Sequence, residues 1–180
     1  MEKMSPISGS TLTLRLIDFA DAAYIHRLRG DPALNRHLSP VQGTVADQER
    51  WIAAYKTREA AGGEFYYVIE RRDDGEACGL VRLYNIADGV FTWGSWMLDS
   101  NKPPKAAFES AYLVYVIAFE QLGIGGARFD VRKENRNTLA FHRRFGATQT
   151  HADDQDVFFV YTAEKFAADR PLHSAVLAGL

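Results

Sequence analysis

Two segments of this 180-residue chain hold the residues whose types and spacing suit chemistry. The first is Phe91–Ser110, FTWGSWMLDSNKPPKAAFES, in which Lys102 and Lys105 bracket the start of an almost wholly apolar stretch that reaches Leu122. A helix opening there presents unpaired N–H groups and the positive end of its dipole, a setting that can hold a phosphate or pyrophosphate. Pro104 suits a first helical position but gives no N–H, so the amides of Lys105, Ala106, Ala107 and Phe108 remain as donors. Ordinary solvated loop charges explain the two lysines as well. The second segment is Phe129–Ala147, FDVRKENRNTLAFHRRFGA, where Asn135, Thr138 and His142 precede Gly146. An imidazole with an unperturbed pKa of about 6.5 is a competent acid near neutral pH. The competing reading puts His142 on the surface of a short helix, where Arg143 and Arg144 discourage its charged form.

These segments must be positioned by the elements around them. Thr11–Ile17 alternates as a strand, and Asp18–Arg29 reads as a helix with Ala22, Ile25 and Leu28 inward. Thr44, with Asp47 three residues on, caps a second helix that runs to about Ala60. Glu64–Glu70 and Ala77–Ile86 read as a hairpin around a charged turn, and Phe91–Leu98 as the next strand. The long apolar helix carries Phe108, Tyr112, Tyr115 and Phe119 at helical spacing. A strand beginning at Phe129, a short helix with Gly146 as its C-cap, Thr148–Thr150 and the strand Asp156–Thr162 complete the order.

That order is similar to GNAT-superfamily N-acetyltransferases over roughly residues 11–166. Asn135, Thr138, His142, Gly146 and Ala147 fall at the offsets of the family's last motif, N-x-x-A-x-x-x-Y-x-x-x-G-F, and Asn101, Pro104 and Ala106 at those of its loop, Q/R-x-x-G-x-G/A, from which Asn101 and Pro104 depart. The resemblance implies an α+β, three-layer GNAT fold. Its mostly antiparallel sheet has six or seven strands, helices lie on both faces, and Phe91–Leu98 splays from the strand beginning at Phe129. It also implies acetyl-CoA as acyl donor, with the pantetheine arm along Trp96, Met97 and Leu98. The phosphates would lie at Lys102, Lys105, Ala106, Ala107 and Phe108, with Asn135 and Thr138 beside the arm. His142 stands where the family often has a tyrosine, as the acid that protonates the departing thiolate.

In the acceptor region the resemblance points to His37, Tyr84 and Trp93 as substrate contacts, with core packing the alternative for the aromatics. Glu70, Glu109 and Asp130 lie on or near the relevant elements, and none is singled out as general base. The segments GSWML, PPKAAFES and VRKENRNTLAFHRRFGA resemble bacterial members that acetylate an amino group on a nucleotide-linked sugar, for surface polysaccharide or flagellin glycan. Two alternatives stay open: a protein N-terminal acetyltransferase of the ribosomal-protein type, and a GNAT-fold binding module with a degraded coenzyme loop. Pro104 favours the module; Lys102, Lys105 and Asn135 speak against it.

Composition bounds these readings. Lys plus Arg number 21 against 23 Asp plus Glu, so a net charge of −2 gives no general attraction to nucleic acid or an anionic membrane. The length suits one domain, 11–168, between tails 1–10 and 169–180. Cys78, the single cysteine, has no internal disulfide partner, which fits a reducing cytoplasm. The start MEKMSPISGS reads as no targeting signal, and the run Ala111–Phe119 is too short for a membrane span. No metal site is expected, the acceptor is a small-molecule amine, and a homodimer is left open.

Overall fold

The computed structural model describes residues 4–36 and 42–179. The chain opens with β1 (Ile7–Ser8) and β2 (Leu12–Leu16), then α1 (Ala22–Gly30) and α2 (Val45–Ala60). A meander follows: β3 (Phe65–Arg71), β4 (Ala77–Ala87) and β5 (Val90–Leu98). Next come α3 (Ala106–Tyr115), which continues as a π-helical segment over Val116–Gln121, then β6 (Gly126–Arg132) and α4 (Arg136–Phe145). β7 (Thr148–Ala152), β8 (Asp156–Thr162) and α5 (Ala163–Leu177) end the chain.

Local chemistry sets several boundaries. Thr44 and Asp47 form a reciprocal capping box at the start of α2, and Asp18 and Asp21 form another just before α1. Gly146 ends α4 at φ +116°, where a Cβ would stand 2.4 Å from Asp169 Oδ2. Asp169 is not free to yield, since it accepts from Tyr161 Oη at 2.9 Å and from Lys165 Nζ at 2.8 Å. Gly146→Ala is therefore expected to lower stability by about 1–2 kcal/mol, read as a shift in the urea midpoint at constant m-value.

All eight strands form one sheet in the order β1-β2-β3-β4-β5-β6-β8-β7. α1 and α2 cover one face over Ile17, Ile25, Ile52, Tyr55, Tyr66 and Leu80. The other face carries the larger core, with Tyr115, Phe129, Phe145, Phe159 and Phe166, which gives the three layers. Neighbouring strands are antiparallel except β5 and β6, which run parallel and pair only at Val90↔Gly126 and Phe91↔Ala127. Beyond Phe91 the two diverge, leaving one edge of β5 without a ladder partner. Among the described residues no helix is long and apolar enough to cross a membrane.

Three expectations are corrected. The sheet has eight strands rather than six or seven, because Ile7 and Ser8, expected within a tail, pair with Leu14 and Thr13. Buried Glu109 secures that end by accepting from Thr11 N at 2.9 Å and Leu12 N at 3.3 Å. The C-terminal tail from 169 is the second half of α5, which docks through buried Phe166 and His173. His173 Nε2 lies 3.0 Å from the Phe145 carbonyl oxygen. Two buried positions and an internal Pro171 give too weak a period to be read from the chain.

Candidate active site

A cavity of about 590 Å³ opens where β5 and β6 part. Its β5 wall is Thr92–Trp96, its β6 wall Phe129–Arg132, and α4 contributes Asn135, Thr138 and His142 at one end. The other end is formed from α1, α2 and β4, by Arg29, Trp51, Arg82 and Tyr84.

A bulge shapes the β5 wall. Leu80 pairs with Met97 while Arg82 pairs with Gly94, so Ser95 and Trp96 oppose Val81 alone, and Ser95 adopts φ +47°. A bulge of this kind frees backbone N–H groups from the ladder, here beside the cavity. Trp96 fastens the bulged segment to α3 through Nε1, which donates to Ser110 Oγ at 3.1 Å.

His142 is buried rather than on the surface. Its ring lies 4.4 Å from Phe129, 5.2 Å from Trp93 and 6.1 Å from Trp96, centroid to centroid. Burial pushes its pKa down to about 3, so at neutral pH the imidazole is uncharged and the expected acid has no imidazolium proton to give. The cause of that lowering is desolvation, not Arg143 and Arg144.

The structure brings Tyr84, Trp93, Trp96, Asn135, Thr138 and His142 to this one cavity. Asn135 also caps α4, its Oδ1 accepting from Thr138 N at 3.3 Å. Trp93 is only 5 % exposed and serves mainly as wall, packed edge-on against Tyr115 and Phe129. His37 lies outside the described residues. Met97, Leu98, Lys102, Lys105 and Ala106–Phe108 are not in the cavity lining; they continue from β5 into the loop and first turn of α3.

In that turn Ala106 N donates to Pro103 O and Glu109 N to Lys105 O, and the intervening amides of Ala107 and Phe108 have no intrahelical acceptor. Only backbone is offered there. Ala106 is buried, and the Phe108 ring packs on Phe145 at 5.0 Å and His173 at 5.5 Å. Lys105 is left-handed at φ +57°, and its ammonium donates to Val176 O at 3.0 Å near the end of α5; Lys102 Nζ donates to Asp99 O at 3.3 Å. A strand edge without a partner beside the cavity, followed by open amides at a helix start, fits an extended amide-bearing arm that ends in phosphates.

Among the three carboxylates on the relevant elements, Glu70 is paired with Arg15 at 2.6 Å and Glu109 is committed to Thr11 and Leu12. Asp130 borders the cavity with no side-chain partner among the described residues, and partial desolvation together with Asp156 pushes its carboxyl up. Of the residues at that end, sequence reading missed Arg82. A signal for Arg82 existed: it is the single charge inside the mostly apolar strand CGLVRLYNI.

Comparison with curated protein sequences gives no match. The family described as Acetyltransferase (GNAT) domain matches residues 11–148. Among solved structures, the chain is similar to apo FdhC, a nucleotide-linked sugar GNAT, at 35% identity, with 96% of this chain and 98% of that one covered and a TM-score of 0.89. It shares its fold with the ribosomal-protein-S5-alanine acetyltransferase from Vibrio fischeri, at 14% identity, coverage of 91% and 99%, and a TM-score of 0.76. The same holds for the Vibrio cholerae spermidine N-acetyltransferase in complex with CoA and spermine, at 18% identity, coverage of 88% and 99%, and a TM-score of 0.75. The splayed strands, the open helix start and the domain match agree, and the chain belongs to the GNAT family, an acyl-CoA-dependent acetyltransferase whose acyl donor is acetyl-CoA.

Proposed function

We propose that this acetyltransferase acts on the primary amine of a nucleotide-linked amino sugar. The observation that carries the reading is the character of the cavity. Arg29, Arg82 and Arg132 line it with Trp51 and Tyr84, and Asp130 is its one carboxylate among the described residues. A negatively charged diphosphate and a flat base suit cations and aromatic rings, whereas a polyamine or a cationic peptide terminus calls for several carboxylates. The resemblance to the nucleotide-linked sugar GNAT over nearly the whole chain supports the same class.

Acetyl-CoA supplies the activated acyl group. Attack by the neutral amine forms the C–N bond, the C–S bond breaks to expel coenzyme A as its thiolate, and the one proton lost by the amine nitrogen balances the one the sulfur takes up to leave as thiol. Asp130 is the group we assign to take that proton, since it alone among the candidate bases faces the cavity unpaired. Backbone N–H groups freed at the Ser95–Trp96 bulge are the donors toward the developing oxyanion. His142, neutral, contributes a ring N–H and a rigid wall in place of a charged acid. Lys102 and Lys105 stay near the phosphate end, with Lys105 shared with the α5 carbonyl.

A thiol-release assay across nucleotide-linked amino sugars, spermidine and peptides with free N-termini is the test. Turnover is expected with the sugar nucleotides, and activity confined to peptides or spermidine would overturn the assignment.

A further inference from the structure

Arg82 occupies the middle of β4, between buried Leu80, Val81 and Leu83. Its Nε donates to Glu64 Oε1 at 2.6 Å, while its guanidinium lies 5.5 Å from the Trp51 ring centroid and 4.9 Å from that of Tyr84. Glu64 is 4 % exposed and also accepts from Arg58 Nε at 2.8 Å. Burial alone would push the Glu64 carboxyl up, but the two guanidinium groups outweigh it and hold the group below its ordinary value, hence ionised. One carboxylate shared by two guanidinium groups leaves a positive charge on this wall.

The same packing immobilises the fork. The Arg82 Nε is committed, its plane is held by two rings, and its two terminal nitrogens meet no protein acceptor among the described residues. A guanidinium that borders a cavity with both terminal nitrogens unused matches a pair of phosphate oxygens in geometry and charge. Because the fork is already ordered, little side-chain freedom is lost when an anion arrives.

We propose that Arg82, held by Glu64 between Trp51 and Tyr84, anchors the diphosphate of the acceptor and so sets the preference for anion-bearing acceptors over free amines. This rests on the nucleotide-linked sugar reading above. A role limited to neutralising Glu64 predicts altered stability, but no difference between charged and uncharged acceptors.

The experiment compares steady-state kinetics on a nucleotide-linked amino sugar and on the same amino sugar without its nucleotide, in the parent, Arg82→Gln and Arg82→Lys. In Arg82→Gln the KM for the linked acceptor should rise roughly ten- to a hundredfold, with kcat within about threefold and the unlinked sugar unaffected. Arg82→Lys keeps a cation beside Glu64 and so keeps the fold, yet loses the fork; its KM should rise for the linked acceptor only. Equal shifts on both acceptors, or none, overturn the anchor. In the parent, a nucleoside diphosphate should compete with the linked acceptor at least about tenfold more tightly than the nucleoside, and equal competition also overturns it. A parent that acts only on peptides or spermidine removes the acceptor reading itself and the anchor with it, a result distinct from failure of the variants alone.

Discussion

Asp130→Asn is expected to lower kcat about 10²-fold or more, because the amide keeps the shape of the carboxylate but takes up no proton. Positioned general bases typically contribute in this range, and Glu70 and Glu109 are tied up elsewhere. The pH profile gives a second readout. Partial desolvation, with Asp156 adding to it, raises the Asp130 carboxyl above its ordinary value, while Arg132 acts in the opposite sense. The base works only when deprotonated, so the parent's activity should rise with pH through that raised pKa, and this acidic limb should vanish in the variant. If Asp130→Asn stays within about threefold of the parent with the limb intact, Asp130 is a solvated carboxylate at the cavity edge and the base lies elsewhere.

Acid should destabilise the protein through His142, and His142→Phe should remove much of that sensitivity. The folded pKa of about 3 lies below the unfolded value near 6.5, so between the two the unfolded chain binds a proton that the folded one refuses. Stability from the buried neutral ring is complete above the unfolded pKa and is lost as pH falls from there toward the folded pKa. Between about pH 7.5 and 4.5 the loss from this one group should be roughly 2.5 kcal/mol. Carboxylates held below their ordinary values, Glu64 and Asp169 among them, add to acid lability in parent and variant alike. The measured quantity is therefore the difference between the two proteins in urea unfolding across that range. A parent and variant with parallel pH dependence would show that the imidazole is hydrated and titrates freely. His142→Phe also bears on catalysis: a neutral wall residue predicts a modest loss of turnover, where an essential acid predicts a loss of 10²-fold or more.

The element order, the caps and the family resemblance were legible in the chain. Thr44 with Asp47 marks a helix start, Gly146 marks a stop, and Val157, Phe159 and Tyr161 alternate inward along β8. Such signals are local, since a cap satisfies amides within one turn and a pleat repeats every two residues. The composition of the cavity was not legible in this way. Trp51, Arg82 and Asp130 lie on α2, β4 and β6, and strand order alone places them around one space.

Burial was equally out of reach. The sequence leaves His142 as either an acid or a surface histidine beside two arginines, but the rings of Trp93, Phe129 and Phe159 close around it and exclude the water that would keep its proton. Lys105 reads as a free phosphate ligand, but α5, whose docking rests on two buried side chains, brings the Val176 carbonyl within reach of its ammonium. The sequence by itself determined which elements form and in what order, because backbone hydrogen bonding and side-chain period are set by neighbours along the chain. Only the tertiary structure decided which side chains share the cavity, and which charges are paired, desolvated or left facing it, because the dielectric and the partners around a group come from segments far away in the chain.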